Sequence, residues 1–348
     1  MEFISADSWV STNTFDVEDF EDYQDLLDKK IKKNVSISVI IPTLEEEKTI
    51  GNILNVLIQR LKLKISLLDE IIVIDGGSKD GTIKICESFG DNIRFLHEKD
   101  ILNGVKTSKG KGNQLWKGLY STKCDIVVYI DSDLKNFNEK YVIGLLGPLL
   151  TTEDIKYVKG FYDRKYSLQT TKKTNDGGRV TEICARPLIN LLYPDLSGFI
   201  QPLSGEYSGY TSVLKNISFN SGYGVEMKIL IEIMEKYGVE SMGQVNLISK
   251  EHDHQPLNAL TKMSFSILKT MLRGKVNDNF SRGLMIKNIE NTCIENMKIR
   301  SDEHTHCNNS GLQMTNDYFK YTEMNDMDLP PVNQVSINND EESCSAYS

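Results

Sequence analysis

The 348-residue chain has little that would suit a membrane or an oxidising compartment. No stretch approaches 18 uninterrupted apolar residues, which excludes a membrane-spanning helix as an expectation. The opening MEFISADSWV lacks the basic segment and apolar stretch of a secretory signal. Six cysteines (86, 124, 184, 293, 307 and 344) lie far apart with no CxxC spacing. That argues against a disulfide framework and a four-cysteine zinc site, and a reducing, cytoplasmic setting is expected. Basic residues are missing from both ends. Residues 1–28 hold nine Asp/Glu and 321–348 hold six, with no Lys or Arg in either. The net charge is -9, yet residues 29–320 carry 40 basic and 34 acidic side chains, a net of +6. So mild an excess suits an anionic small ligand and argues against a nucleic-acid partner. With 39% apolar and 26% charged residues, the composition is that of a globular protein with one large domain or two small ones.

Apolar runs alternate with helical spacing. SISVIIP (36–42) reads as a buried strand ending at Pro42, followed by helical spacing at Ile50, Ile53, Leu54, Leu57 and Leu61. DEIIVID (69–75) is a second strand, leading through Gly76-Gly77 to a helix over 80–89. Residues 93–96 form a short third strand, and a Gly/Lys-rich loop (104–112) opens a helix holding Leu115, Trp116 and Leu119. CDIVVYIDSD (124–133) is a strand with an acidic end. Alternation of this kind predicts an α/β fold, a Rossmann-like, mostly parallel sheet with helices on both faces, which binds ligands beyond the carboxyl ends of its strands. Farther on, a strand is expected at 155–161, helices at about 180–192, 225–237 and 257–273, a Gly/Pro-rich loop at 194–210 and a strand at 239–248. The chain divides into an acidic arm (1–34), a regular strand–helix unit (35–135), a less regular second half with C-terminal helices (136–290) and a polar tail (291–348) expected to be disordered.

Asp131-Ser132-Asp133 is the strongest chemical signal. Carboxylates at i and i+2, on a turn leaving a buried strand, suit a hard divalent cation bridging diphosphate oxygens. A solvated strand end with an Asx turn is the plainer alternative. Asp75-Gly76-Gly77-Ser78-Lys79-Asp80-Gly81-Thr82 permits close backbone approach, with Asp80 placed to cap a helix, and matches neither the GxGxxG nor the Walker pattern. Lys109-Gly110-Lys111-Gly112-Asn113 offers a point charge to a phosphate, or is a solvated basic loop. At Gly177-Gly178-Arg179-Val180-Thr181-Glu182, amides at a helix start with Arg179 and Thr181 suit an anion. In His252-Asp253-His254, extended backbone turns the imidazoles to opposite sides, so one of them is a candidate ligand beside Asp133. His304, His306 and Cys307 sit in the polar tail as a weak zinc candidate, while Cys124, Cys184 and Trp116 read as packing residues.

Taken in order, Pro42-Thr43-Leu44-Glu45-Glu46-Glu47, the 75–82 segment and Asp131-Ser132-Asp133 resemble the conserved segments of GT-A glycosyltransferases. Gly178–Glu182 with Ala185-Arg186-Pro187, Pro202-Leu203-Ser204-Gly205-Glu206-Tyr207 and Gly222-Tyr223-Gly224-Val225-Glu226 resemble the glucosyl-3-phosphoglycerate synthases, retaining enzymes that move glucose from a nucleotide sugar to 3-phosphoglycerate. The resemblance spans about residues 9–273. It implies a GT-A fold with a nucleotide-sugar-binding subdomain over 35–135 and a mixed acceptor-binding half over 136–290, UDP-glucose as donor, Mg2+ or Mn2+, and a homodimer. Pro42, Thr43, Leu44 and Glu46 would line the uridine pocket with Ser78 touching the nucleotide. Lys111 would approach the diphosphate or the donor sugar, Asp131 the sugar or ribose, and Asp133 and His252 the metal. Gly178, Arg179 and Thr181 would hold the acceptor's anionic groups, Glu226 would orient the glucose and Tyr223 would shape the acceptor side. The chain departs from the family at Glu45, where Asn is usual, and at Lys250, where Arg is expected. It departs again at Asp253 and Gln255, where basic residues are usual.

Three rival readings remain at this stage. One is a related transferase with another donor, such as GDP-mannose, or another acceptor. The second is a sugar nucleotidyltransferase, which needs a Gly/Arg/Lys phosphate loop where the acidic PTLEEE stands. The third is a nucleotide-sugar binding module without turnover.

Overall fold

The computed structural model describes residues 6–162, 178–247, 250, 256–275, 283–287 and 319–335. Its strands are β1 (Thr14–Asp16), β2 (Ile37–Thr43), β3 (Glu70–Asp75), β4 (Arg94–His97), β5 (Ile126–Tyr129), β6 (Tyr157–Phe161), β7 (Tyr207–Tyr210), β8 (Phe219–Asn220), β9 (Met242–Asn246), β10 (Gly283–Lys287), β11 (Phe319–Glu323) and β12 (Asp328–Leu329). The helices are α1 (Ala6–Asn13), α2 (Tyr23–Lys33), α3 (Ile50–Val56), α4 (Thr82–Glu87), α5 (Lys111–Ser121), α6 (Lys140–Thr151), α7 (Arg186–Leu192), α8 (Thr211–Leu214), α9 (Val225–Tyr237) and α10 (Leu257–Leu272). A π-helical turn, Leu57–Lys64, prolongs α3, and another, Thr181–Ala185, leads into α7.

Eight strands form one sheet in the order β1-β9-β6-β7-β5-β2-β3-β4. β7 runs antiparallel to β5 and β6, and the other pairs are parallel. β2 is buried along its whole length, as a central parallel strand covered on both faces must be. Its ladder to β5 ends at Ile40, before Pro42, so the missing proline N–H breaks no bond on that side. Successive residues enter opposite cores. Ile40, Ile72, Ile74 and Tyr129 pack with Leu115, Trp116 and Leu119 of α5 and Ile229 of α9. Val39, Ile41, Val73 and Val128 pack with Ile53 and Leu54 of α3 and Leu145 and Leu146 of α6. The first β2–β3 step runs one way along the sheet and β5 lies on the other side of β2. The crevice between their carboxyl ends is therefore a topological switch point, where such sheets bind ligands.

The acidic N-terminal arm packs on the body and adds a strand to the sheet, and two other segments differ from the sequence expectations. Trp9 is buried and donates from Nε1 to the Val239 carbonyl at 2.8 Å, while β1 joins the sheet in register with Gln244–Asn246. The 194–210 loop ends in a strand, β7. YSGY lacks the β-branched run that marks a strand, and pairing on both sides with β5 and β6 overrides that weak local preference. Within the tail expected to be disordered, β11 pairs with β10, β12 pairs with β8, and Leu329 and Val332 are buried.

Candidate active site

The carboxyl ends of β2, β3 and β5 open into a cleft of about 840 Å³, lined also by residues 178–181, 222–226, α10 and the segment around Asp326. A smaller cavity of about 460 Å³ beside Ser36, Asp69 and Cys124 lies at the opposite strand ends, away from this convergence. Ser132 fixes the acidic turn after β5. Its hydroxyl donates to the Pro42 carbonyl at 2.7 Å, and its own carbonyl accepts from Thr49 at 2.6 Å. The turn thereby presents Asp131 and Asp133 on the cleft side.

Two lysines link three carboxylates. Lys111, the first residue of α5, lies 2.6 Å from Asp131 Oδ1 and 2.9 Å from Glu226 Oε1. Lys250 lies 2.7 Å from Glu206 Oε1 and 3.4 Å from Asp131 Oδ2. Ser204 donates to the other Glu206 oxygen at 2.8 Å. Burial alone would push the Asp131 carboxyl up, but Lys111 and Lys250 overcome it and hold Asp131 well below the ordinary carboxylate range. The lysines respond in kind: burial disfavours their charge, and the facing carboxylates raise both above the usual lysine value. Both therefore stay ammonium ions at neutral pH. The backbone makes room for this network. A methyl group at 205 would run into the Asp131 carboxylate, and one at 112 into the Asn220 carbonyl, so only glycine fits either position.

Asp133 is different. Burial and then the Asp131 charge raise its pKa, and its buried Oδ1 has no hydrogen-bond partner. Glu46 is raised to about 7 by burial and then by Asp133. An unpartnered carboxylate oxygen in an acidic corner suits a hard divalent cation, because oxygen ligands and like charges both favour its arrival. Among the described residues no three His, Cys, Asp or Glu side chains cluster as a ready-made ligand set. His252, expected as the second ligand, lies outside the described residues, as do Asp253, Gln255 and the 304–307 zinc candidate.

The other expected site residues divide. Pro42, Thr43, Leu44, Glu46, Lys111, Asp131, Asp133, Gly178, Arg179, Thr181, Tyr223, Glu226 and Lys250 line the one cleft. Ser78 does not. It is buried behind the 44–47 loop, where its hydroxyl accepts from Glu45 N at 2.9 Å and its own N–H points to Asp75. Its position steadies Glu45, which stands at φ 61°. Trp116 is fully buried packing, and burial raises the Cys124 and Cys184 thiols, which disfavours thiolate chemistry at either.

Several contributors escaped the sequence reading. Glu206 is fully buried and anchors Lys250, yet it sits just before a strand that reads as loop. Gln114 ties β2 to β3 by donating to the Thr43 and Ile74 carbonyls at 2.8 and 3.0 Å. Lys159, on β6, is buried with its ammonium 4.5 Å over the Tyr207 ring, and burial pulls its pKa down to about 7. Nothing in the pattern of YVKGF marks that lysine as interior.

Comparison with known proteins is consistent with this geometry. The family model described as Glycosyl transferase family 2 matches residues 38–201. The glucosyl-3-phosphoglycerate synthase of Petrotoga mobilis is 46% identical over 254 residues, 73% of this chain and 78% of that protein. A solved mannosyl-3-phosphoglycerate synthase from Rubrobacter xylanophilus superposes with a TM-score of 0.79 at 28% identity, covering 97% of this chain and all of that one. The glucosyl-3-phosphoglycerate synthase of Mycobacterium tuberculosis, solved with Mn2+, UDP-glucose and phosphoglyceric acid, superposes with a TM-score of 0.72 at 34% identity. It covers 89% of this chain and 94% of that one.

Proposed function

The chain belongs to the glucosyl-3-phosphoglycerate synthase family, and from that premise we propose that it transfers glucose from UDP-glucose to 3-phosphoglycerate, releasing UDP. The observation that carries this reading is the Glu226–Lys111–Asp131–Lys250–Glu206 network at the switch point, with the unpartnered Asp133 oxygen beside it. Pro42, Thr43, Leu44 and Glu46 form the wall for the uridine, and Ser78 supports that wall from behind through Glu45. Asp133, with His252, holds Mg2+ or Mn2+. When bound, the ion offsets the charge that gathers on the departing diphosphate. Lys111 has three N–H donors, and Asp131 and Glu226 accept two of them. The third is left for the diphosphate, where an ammonium in a sheltered cleft stabilises the leaving group by a few kcal/mol.

Transfer breaks the bond between the anomeric carbon and the phosphate oxygen and forms one to the acceptor hydroxyl oxygen. The hydroxyl approaches on the leaving-group face and its proton passes to a diphosphate oxygen, so the anomeric configuration is retained. Glu226 orients the glucose; one of its oxygens is already engaged by Lys111, which favours that role over nucleophilic attack. Gly178, Arg179, Thr181 and Lys250 face the acceptor's phosphate and carboxylate, and Tyr223, about half exposed, shapes the same end. Lys250 gives a point charge where arginine would give a fork, so it fixes the acceptor's orientation less rigidly. A cytoplasmic enzyme working as a homodimer completes the proposal. No helix among the described residues is long and apolar enough to cross a membrane, and light scattering on the purified chain tests the dimer.

Incubation of the pure chain with UDP-glucose, 3-phosphoglycerate and Mg2+ or Mn2+ tests the reading. Glucosyl-3-phosphoglycerate and UDP are expected in equal amounts. Release of inorganic diphosphate would point to nucleotidyl transfer, and tight UDP binding without product to a binding module. Faster use of GDP-mannose would replace the donor.

A further inference from the structure

The segment 324–335 sits in the part of the chain whose acidic, proline-containing composition reads as disordered. In the fold it runs as a strap along one wall of the cleft, which Met324 and Asp326 line. Asp328 and Leu329 pair with Asn220 and Phe219. Ser221 exchanges two bonds with Met327: its N–H donates to the Met327 carbonyl at 2.9 Å and its hydroxyl accepts from Met327 N at 3.0 Å. Pro330 accepts from Trp116 Nε1 at 2.7 Å, and Asn333 N donates to the Lys215 carbonyl at 3.2 Å. Asp328 is 2.8 Å from Arg273 and 3.5 Å from Lys228. Asp326 accepts from Ser266 on α10 and presses on Gly222, where a methyl group would collide with its carboxylate.

These contacts converge on one helix. The Ser221 hydroxyl that takes Met327 N also bonds the Ser108 hydroxyl at 2.5 Å, and the Ser221 carbonyl accepts from Asn113 N at 3.0 Å. Ser108 and Asn113 flank Lys111, and Trp116 lies on the same helix. The strap thus grips α5 twice, at its first turn through Ser221 and at mid-helix through Trp116. No neighbouring side chain fixes the lysine: Gly110 and Gly112 stand on either side of it, Gly110 at φ 153°, and both pack against the 220–221 backbone that the strap holds. Held by its side chain alone, Lys111 would be free to follow Asp131 and Glu226 rather than meet the diphosphate.

We propose that residues 324–335 are a positioning strap for Lys111, acting through Ser221 and Trp116. This rests on the reading of the cleft as a glucosyl-transfer site and adds a part of the chain that the two-carboxylate turn alone would not require. The strap touches no reacting atom. Its effect is to fix where α5 begins, and hence where the ammonium stands when the glycosidic bond breaks.

A double-mutant cycle on the full-length chain tests it. Ser221→Ala removes the hydroxyl's two bonds. It is expected to lower kcat about tenfold, the size of one well-placed hydrogen bond lost in the transition state, with the KM for 3-phosphoglycerate within twofold of wild type. Ser221→Thr, which keeps the hydroxyl, is expected to recover most of the loss. In a Lys111→Met background Ser221→Ala should cost no further turnover, because the group it positions is gone. An unchanged kcat in Ser221→Ala, or a full tenfold fall that persists without Lys111, overturns the proposal. So does a defect confined to the acceptor KM. If Ser221→Ala loses its near-ultraviolet circular dichroism, Trp116→Phe, which removes the bond to Pro330 and keeps a smaller aromatic ring in the core, is run through the same cycle under the same criteria. Calorimetric binding of UDP with Mn2+ is measured across the cycle as well, with about fivefold weakening expected only where Lys111 is present. That readout judges the strap even if the wild-type chain fails to glucosylate 3-phosphoglycerate, a failure that would count against the substrate assignment alone.

Discussion

Replacing Lys111 with methionine removes one ammonium from the centre of the network and keeps most of the side chain's length. Two consequences can be worked from the geometry. The transition state loses a donor aimed at the leaving diphosphate, a loss of about 3 kcal/mol, or roughly a hundredfold in kcat, for a group of this kind. Asp131 at the same time loses the nearer of its two cations and keeps only Lys250 at 3.4 Å. In the wild type its depressed carboxyl adds stability that is present above the ordinary carboxylate range and fades as pH falls toward the native value. With Lys111 gone the native value rises, so less stability is gained at neutral pH and acid unfolding begins at a higher pH. The assay is twofold: steady-state UDP release under saturating donor and acceptor, and acid titration followed by near-ultraviolet circular dichroism. A folded variant with kcat within threefold of wild type would refute the role of the ammonium. An acid midpoint that does not move would refute the coupling to Asp131.

Other outcomes follow from the same geometry. Asp133→Asn should abolish Mn2+-dependent turnover while leaving the melting temperature near wild type, since the buried Oδ1 of the replaced carboxylate has no hydrogen-bond partner and its charge is disfavoured in the free protein; unchanged turnover at saturating donor contradicts this. Arg179→Ala should raise the KM for 3-phosphoglycerate about tenfold and leave the donor KM within twofold, which paired saturation curves check. Glu46, with its pKa raised to about 7, favours folding when protonated, so its contribution declines as pH rises from about 4.5 to 7. Glu46→Gln should therefore raise the melting temperature of cation-free protein at pH 8 and leave it unchanged at pH 4; equal melting temperatures at pH 8 contradict that.

Much of the donor half was legible because its residues follow apolar runs. Asp131 and Asp133 come directly after IVVYI, and Pro42–Glu46 directly after SISVII, so the strand period alone places them at one edge. Lys111 stood out by its flanking glycines, and the structure supplies the reason, since the Asn220 carbonyl leaves no room for a side chain at 112. Glu206 was not legible as a functional group. It precedes YSGY, whose strand exists only through its two neighbours in the sheet, and its charge is compensated by Lys250, far along the chain. Ser78 sits in a glycine-rich turn compatible with ligand contact, but the fold places it outside the cleft lining, where its hydroxyl accepts from Glu45 N. The strap was read as disorder because composition measures average burial, while a few backbone bonds to Ser221, Trp116 and Lys215 suffice to seat a short segment. Partners so distant in sequence leave no periodic trace.

The most direct measurement is nuclear magnetic resonance of the reaction itself, with 13C-labelled UDP-glucose, 3-phosphoglycerate and Mg2+ added to the purified chain. The account predicts a single new α-anomeric signal, the configuration of the donor, growing in step with UDP. A β-anomeric product, or a donor signal that decays to free glucose without any adduct of 3-phosphoglycerate, would contradict it.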